Sequence, residues 1–532
     1  MASRGIYLQW EGKRVYCQRI ATPRVLEPVA NLSVGSGTNM VIEGDNIQVL
    51  ASLRAQYGAA VKLIYADPPY NTGQRDFRYS DRRFHDPDAD DTDAVYVTNE
   101  DGGKHTKWLN YMAPRLSIML DLLRSDGAIM VSIDDNEVFR LGMLMDEIFG
   151  EENHVATFIW QKHHSRNNSA RHVAATHDFI LMYAKDKSRL NVRRLAFDPA
   201  EFKNPDNDPN GAWVSRDLSA NHFYAAGKYK VKSPGGKTFG PTKGRYWSVS
   251  EAHFLDLNEQ GRIWWGKKNN SRPRKKVYES EMNEDPEAVP VSIWPAFEVG
   301  HNQEATSQVR DLGFADASQH SPKPVRLIKR CIDLVCEKDE QALILDAFAG
   351  TGTTAQAVLD LNHQDKGNRR FILIEQGTPT EPYCRTLTAE RIKRAIEKYG
   401  YGDGFTFYKT GRKIDRQAIV SLERDGLTAL ICQADETGRG REISRLQGYK
   451  YIIGKNHRNE AICLKWNGGG ASEVTKDDLR AAAEEVTKGG LKRPFRIYGT
   501  HCRVGDTASW KFCQIPDEIL AQLHIIEDME RD

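Results

Sequence analysis

No Cys-x-x-Cys pair occurs in this chain; its eight cysteines stand apart at positions 17, 331, 336, 384, 432, 463, 502 and 513. Such scatter argues against a zinc cluster and against the disulfide framework of a small secreted domain. Long apolar runs are lacking too: none approaches the ~18 residues that cross a bilayer. The opening stretch MASRGIYLQWEGKRVYCQRI has no apolar centre of the kind a signal peptide carries. Internal repeats are absent, and no Gly-Lys-Ser/Thr phosphate loop appears. His163, His164, His172 and His177 are not spaced as a metal site, and His177 reads instead as the cap of the strand that follows it. Neither sign of charge dominates, the formal net charge being +1 over 532 residues. The expectation is a soluble, cytoplasmic protein with reduced thiols, no metal and no membrane segment, long enough for roughly three domains.

What the net charge hides is its distribution. Residues 221–280 hold thirteen Lys or Arg against four acids, with ten aromatic residues interleaved. Residues 76–104 reverse the balance, centred on DPDADDTD. A basic, aromatic segment fits nucleic acid, because cations neutralise phosphates and release their counterions. Within it KKNNSRPRKK (267–276) reads as a DNA-facing loop, with Lys267, Lys268, Arg272, Arg274, Lys275 and Lys276 as candidate contacts. Trp264 and Trp265 in RIWWG read as core. The acidic stretch reads as a long mobile loop with two roles open: a lid, favoured because it leaves directly from Gly73, or a disordered insert that discourages stray phosphate binding.

Apolar periodicity predicts strands and helices in alternation. NMVIE, VKLIYA, AIMVSID and HDFILMYA read as strands, and IQVLASLRAQY and EVFRLGMLMDEIF as helices. KWLNYMAPRLSIMLDLLRSDG reads as a helix stopped by Gly127. The rhythm breaks over 186–319, which is rich in Pro, Gly, Asn, Trp and basic residues, and resumes with PVRLIKRCIDLVC, LILD, TTAQAVLDL and RRFILIE. The fold class expected is α/β, a mainly parallel sheet interrupted by an inserted domain. A mixed α/β tail follows from 416, with a hairpin signal near WNGGG.

Two stretches carry chemistry. YADPPYNTG (65–73) closes the apolar run VKLIY with a carboxylate, two prolines and an aromatic ring. Proline cannot donate to a ladder, so the strand ends there and leaves a stiff turn. LDAFAGTGTT (345–354) runs an apolar strand into Gly350 and Gly352 and then a helix, so that backbone can approach a ligand at a helix N-terminus. It lacks the third glycine of the dinucleotide fingerprint. The next strand ends in Glu375, whose carboxylate can take both hydroxyls of a ribose.

DPPY together with FAGTGTT resembles the amino-group DNA methyltransferases that use S-adenosylmethionine. The catalytic motif precedes the cofactor loop, as in the circularly permuted beta class. With VIEGDNIQVLASL, KWLNYMAPRL, VSIDDNEVFRLGMLMDEIFG, THDFILMYAK, GRIWWG and SPKPVRLIKRCI, the chain is similar over residues 38–410 to modification (Mod) subunits of type III restriction-modification systems. The resemblance implies a Rossmann-like methyltransferase sheet: an N-terminal segment (1–37), a catalytic part (38–185), a target-recognition domain (186–319), a cofactor part (320–415) and a C-terminal α/β domain (416–532). It implies that Asp67, Pro68, Pro69 and Tyr70 form the pocket for a flipped adenine and that Asn71 beside them contacts DNA. Phe348, Gly350, Gly352, Asp346 and Thr353 would line the methionine end of the cofactor, Glu375 its ribose, and Asp45 with Asn46 its adenine. His320, Ser321 and Lys323 would close over it. Ala347 stands where the family often has proline, a departure that shifts the turn only. The implied partners are double-stranded DNA, a second copy of the chain and a helicase-nuclease subunit. No helicase or nuclease motif occurs in the chain itself. Methylation of cytosine amino groups or of RNA, or a recognition role directing a partner nuclease, are the alternatives.

Overall fold

VKLIYA folds as a strand, Val61–Ala66, with every side chain buried, as befits a strand covered on both faces. The structure, a computed structural model, describes residues 8–13, 21–35, 38–74, 76–86, 89, 91–163, 172–196, 202–220, 222–281, 287–315, 321–338, 341–377, 382–435, 443–467 and 472–522. Numbered along the chain, the principal elements around that strand are β1 (Arg24–Pro28), β2 (Asn39–Glu43), α1 (Asn46–Tyr57), β3 (Val61–Ala66) and the short hairpin β4 (Arg78–Tyr79) and β5 (Val95–Tyr96). There follow α2 (Lys104–Leu122), β6 (Leu123–Ile133), α3 (Val138–Phe149), β7 (His154–Gln161), β8 (His177–Ala184) and β9 (Ile293–Trp294). The domain closes with α4 (Val325–Val335), β10 (Leu343–Asp346), α5 (Thr353–Asp365), β11 (Arg370–Glu375), α6 (Glu390–Tyr399) and β12 (Phe405–Lys413).

Ten strands form one sheet in the order β1-β12-β2-β11-β10-β3-β6-β8-β7-β9. From β12 to β6 neighbouring strands run parallel. β8 is antiparallel to β6, and β7 is antiparallel to β8. No helix crosses between β7 and β8 among the described residues, and strands joined without a crossover pair antiparallel. α1 packs on α2 and α2 on α3, while α4 packs on α5 and against β3. Gly127 is not the stop of α2, which ends at Leu122; it lies inside β6, where a Cβ would meet the Val61 carbonyl oxygen at 2.9 Å. The glycine marks a close approach of two backbones rather than a helix cap.

The described residues of the acidic stretch 76–104 are anchored in the fold, not loose. Phe77, Tyr79 and Val97 enter the main core, and Arg83 is buried. Acids mask these apolar anchors in a reading of composition.

Residues 193–290 form a compact unit of their own. Strands Trp213–Asp217, Arg274–Tyr278 and Ile263–Trp264 make an antiparallel sheet there, and Trp247, Phe254, Leu257, Ile263 and Trp265 a small core. Residues 291–319 belong instead to the large unit, where β9 pairs with β7 and Trp294 stacks on Phe158 at 4.2 Å.

The tail from 416 adds a second sheet built on Ile452–Lys455, Glu460–Leu464, Lys492–Gly499 and Trp510–Gln514. Its hairpin joins the first two of these strands, one turn earlier than WNGGG suggests. Glu460–Leu464 then pairs in parallel with Lys492–Gly499, a crossover that helix Lys476–Lys488 provides, and the glycines 468–470 lie outside the described residues. The tail is not separate from the large unit: the Gln433 amide bonds the backbone of Leu26 and Arg24. No helix among the described residues is long and apolar enough to cross a membrane.

Asn39 ties three central strands at their start. Its amide donates to the Gly404 carbonyl at 2.8 Å and its oxygen accepts from Phe371 N at 2.9 Å, with the side chain buried. Asn39→Leu orphans both backbone groups and is expected to cost about 2 kcal/mol, measured by urea unfolding; a loss near zero would show that the strand ends are held without it.

Candidate active site

β3 and β10 are sheet neighbours, with Tyr65 opposite Asp346. Two residues further along each strand exit stand Asp67 and Phe348, distant in sequence and brought to one place. β11 lies on the other side of β10 and ends in Glu375; β2 lies beyond it and leads to Asp45. The carboxyl edge of the sheet thus presents Asp45, Glu375, Phe348 and Asp67 in that spatial order. Ligands of open α/β sheets bind outside this edge, where strand order reverses.

In the Asp67–Tyr70 turn the two proline carbonyls differ. Trp108 on α2 donates its indole N–H to the Pro69 oxygen at 2.7 Å. The Pro68 oxygen takes no hydrogen bond among the described residues. Lys323 Nζ sits on both oxygens of Asp67, at 2.7 and 2.6 Å, and 5.1 Å from the centre of the Tyr70 ring. It therefore belongs to the Asp67–Tyr70 turn as well as to the segment preceding α4. Tyr70 is half-buried and its hydroxyl lies 3.5 Å from Asp178, which is in turn paired with Lys162 at 2.5 Å. Burial and the Asp67 and Asp178 carboxylates hold the Tyr70 phenol far above its usual range, so it stays neutral.

The glycine turn is shaped from below. Gly350 and Gly352 have φ of 51° and 83°, and a Cβ on Gly352 would meet the Thr388 carbonyl oxygen at 3.2 Å. Buried Arg391 bonds the hydroxyls of Thr351 and Thr353. Thr353 also donates to the Lys323 carbonyl at 3.2 Å, so it locks the turn and does not face a ligand. Asp346 accepts from Phe348 N at 3.0 Å and Thr354 Oγ1 at 2.5 Å. Both its oxygens serve the turn. Burial, reinforced by the Asp67 charge, pushes its carboxyl up to about 7. Glu375 accepts from Gly350 N at 2.5 Å and Gln376 N at 2.8 Å, and burial pushes it also to about 7. Each Glu375 oxygen retains a second lone pair, which suits a diol donor. A Cβ at Gly350 would meet nothing closer than the Phe348 oxygen at 3.9 Å, so space lies open over this glycine. Tyr111 and Phe348, ring centres 6.2 Å apart, supply aromatic surface beside it. Those features fit a nucleoside-bearing cofactor.

Other expected residues are placed differently. Asp45 caps α1 and is held by Arg83 at 2.5 Å and Arg115 at 3.2 Å. Burial opposes its charge, yet the two guanidiniums keep it below the usual carboxylate range. Asn46 is buried between the Ala347 carbonyl (2.9 Å) and Arg115 (2.6 Å), a brace rather than a ligand contact. Asn71, expected to contact DNA, is fully buried, because its left-handed backbone (φ 57°) turns the side chain inward. Ser321 is exposed, and His320 lies outside the described residues.

In the separate unit 193–290, Lys267 and Lys268 project into solvent, Arg274 is exposed but bonds Ser215, and Lys275 is half-buried. Lys276 is no DNA contact: it is buried between Asp206 and Asp208. Arg272 packs its guanidinium 4.7 Å from the Trp247 ring centre. Alternation along Arg274–Tyr278 sends every second side chain inward, which a count of charges does not register.

Arg83, Trp108, Arg115, Tyr111, Asp178 and Arg391 shape this site without being foreseen. Arg115 and Trp108 lie on the buried stripe of α2, where a charged or polar-tipped side chain in an apolar pattern is the signal available in sequence.

An open sheet with a glycine turn and an acid at adjacent strand ends defines a nucleoside-binding α/β domain. A family model described as DNA methylase (N6_N4_Mtase) matches residues 61–380, and the chain belongs to that family. The Mod subunit of the type III restriction-modification enzyme StyLTI from Salmonella typhimurium is 35% identical over 388 residues, covering 68% of this chain and 57% of that protein. The EcoPI Mod subunit of Escherichia phage P1 is 32% identical over 386 residues, 64% of this chain and 57% of its own length. The type II methyltransferase M.KpnI of Klebsiella pneumoniae is 28% identical, covering 66% of this chain and 84% of its own. The chain thus spans little more than half the length of the two Mod subunits. A putative DNA modification methylase from Thermus thermophilus, solved with S-adenosyl-L-methionine, is a distant structural relative: 14% identity, TM-score 0.33, covering 69% of this chain and 99% of that one.

Asp346 titrates near 7 in the folded chain against a carboxyl's ordinary value when unfolded. Between about pH 4 and 7 the folded form binds the extra proton, so this group's contribution to stability falls as pH rises through that window and is flat above it. Asp346→Asn removes the titration; its oxygen still accepts from Phe348 N, and its amide donates to the Thr354 hydroxyl instead of accepting from it. Relative to wild type, the variant is expected to gain roughly 2 kcal/mol between pH 5 and pH 8, read from denaturant midpoints at the two pH values; an unchanged difference would rule out the buried charge.

Proposed function

We propose that this chain moves the methyl group of S-adenosylmethionine to the 6-amino group of an adenine flipped out of double-stranded DNA, as the modification and recognition subunit of a type III restriction-modification system. The observation that carries the reading is the adjacency of Asp67 and the glycine turn at the ends of β3 and β10, with Glu375 one strand further on. Family membership and similarity to Mod subunits support it.

An exocyclic amino nitrogen is a weak nucleophile, because its lone pair is delocalised into the ring. Asp67 and the Pro68 carbonyl are fixed acceptors, and two N–H bonds to them turn that nitrogen towards sp3 geometry and aim the lone pair. Catalysis here is positioning plus electrostatic preorganisation. When bound, S-adenosylmethionine supplies an electrophilic methyl on a sulfonium. Glu375 holds its ribose, Gly350 leaves it room, and Phe348 with Tyr111 packs its flat surface. Asp67 lies beside Lys323, whose ammonium bonds both carboxylate oxygens and fixes their direction, while each oxygen keeps a second lone pair for the incoming amino group. Tyr70 stacks on the flipped adenine, worth roughly 1–3 kcal/mol against the few kcal/mol that flipping costs. The packed stretch 76–104, pinned to Asp45 through Arg83, acts as a lid on the cofactor side. Lys267, Lys268 and Arg274 of the basic unit contact DNA phosphates. A helicase-nuclease subunit supplies cleavage, and the chain works as a homodimer.

Asp67→Ala is expected to abolish methyl transfer while S-adenosylmethionine binding, followed by calorimetry, stays within about threefold; near-full turnover of this variant would sink the assignment. Single-molecule sequencing of DNA from cells with and without the protein should show N6-methyladenine at one site. N4-methylcytosine, or no modified DNA, would replace the reading with cytosine or RNA chemistry. Tyr70→Ala should lose turnover on paired DNA and regain part of it on a duplex mismatched at the target. Equal loss on both duplexes would argue against stacking.

A further inference from the structure

Directly behind Tyr70 the chain buries a polar group of three residues. Asn71 has a left-handed backbone and donates its amide to Glu137 Oε1 at 2.6 Å and to the Lys104 carbonyl at 3.1 Å. His105 Nδ1 meets the same Glu137 oxygen at 2.6 Å. Glu137 and Asn71 are fully buried, and His105 is 35% exposed at the side chain. Glu137 occupies the N-cap of α3 yet makes no capping bond, its carboxylate being turned to Asn71 instead. Two buried oxygens, Asn71 Oδ1 and Glu137 Oε2, take no hydrogen bond among the described residues; Arg140 stands 3.6 Å from the latter.

Such a group is a poor device for stability. Each unsatisfied buried polar atom costs about 1–3 kcal/mol, and a buried polar network that is only partly paired is inferior to apolar packing. Burial also pushes the Glu137 carboxyl upwards. What the group does achieve is mechanical. The Asp67–Tyr70 turn is gripped at its far end by Asn71 and at its middle by Trp108, which donates to Pro69. Lys104, His105 and Trp108 all lie in the first turns of α2, so one helix end fixes the turn at two points. The Glu137 carboxylate, from the strand exit of β6, closes the brace from the other side.

We infer that Glu137 is a positioning residue for methyl transfer, acting through Asn71 to hold Asp67, Pro68 and Tyr70 in the geometry that receives the base amino group. The inference rests on the methyltransferase reading above, and it assigns to Asn71 a role in the pocket wall in place of contact with DNA. Misplacement of about 1 Å in such a site costs on the order of a hundredfold.

Two variants separate position from stability. Asn71→Gly keeps the left-handed backbone without strain and deletes the amide. Glu137→Leu removes the carboxylate at similar volume. Each is expected to lower kcat at least tenfold, with the KM for S-adenosylmethionine within threefold of wild type and a melting temperature no more than a few degrees lower. Glu137→Gln, which retains an oxygen to accept from Asn71, should stay within threefold of wild-type kcat. Hydrogen exchange gives a readout free of turnover: peptides spanning 66–73 should exchange faster in Asn71→Gly and Glu137→Leu, and those spanning 128–133 should not. Wild-type kcat and unchanged exchange at 66–73 in Asn71→Gly would overturn the inference even if Glu137→Leu failed to fold. An equal rise in the cofactor KM would also overturn it, pointing to general loosening. A wild-type protein that methylates no DNA would refute the proposed function instead, with the exchange experiment still deciding whether the brace exists.

Discussion

The parallel pairing of β3 with β10 is the constraint on which the site depends. It is a backbone interaction between apolar strands, and β10 ends in Asp346, whose side chain shapes the glycine turn. Its register places Tyr65 opposite Asp346, so the two loops that follow leave the sheet at the same height. A slip of one residue would turn every side chain of the slipped strand to the other face. Both faces of β3 are buried, so specific contacts rather than polarity resist that slip: Tyr65 would lose Ser132 and Lys62 would lose Asp126. The register so held sets the distance between Asp67 and the glycine turn.

From this edge outward the charges are arranged by two different rules. Asp45 and Asp67 are matched by cations, Arg83 and Arg115 for the first and Lys323 for the second. Asp346 and Glu375 have no cation partner among their hydrogen bonds and rely on backbone N–H groups and a threonine hydroxyl. Burial therefore wins over their charge and moves both towards neutrality. The difference suits different tasks. A carboxylate beside a cation, as Asp67 is beside Lys323, is held in place at both oxygens. One that shapes a turn, as Asp346 does, works through geometry and tolerates either state.

Much of this was legible in the sequence, for physical reasons that differ element by element. The strand ends at Asp67 and Glu375 follow from apolar runs that stop at a polar residue, and the glycine turn from residues that alone tolerate its backbone. Periodicity marks helix α2 but not its end, because Gly127 can cap a helix or admit a neighbouring backbone, and only the sheet decides between the two. Lys276 was read as a DNA contact because charge counts ignore strand alternation; its true partners, Asp206 and Asp208, lie nearly seventy residues earlier. The stretch 76–104 was read as loose because its acids outnumber Phe77, Tyr79 and Val97, yet three well-buried apolar side chains and one buried arginine suffice to hold it down. Residues that act through a partner distant in sequence leave little local trace: Arg115, which holds Asp45, shows only as a charge within the apolar stripe of α2, and Glu137, paired with Asn71, shows nothing.

The permuted order of the chain now has a physical explanation that needs no special device. Sheet pairing depends on which strands lie side by side, not on which is synthesised first. Once β3 and β10 pair, the connection between them is free to take any length, and loop closure costs only a slowly rising entropy as it lengthens. A compact unit of 193–290 can therefore sit within that connection without disturbing the register at Tyr65 and Asp346. The same argument explains what α2 and Glu137 contribute to the Asp67–Tyr70 turn. The connection from β3 to α2 carries only short elements, the hairpin β4–β5 among them, and the sheet itself ends at Ala66, one residue before the turn. Trp108 and Asn71 supply the second and third points of support, and three points fix a plane against which a base can rest.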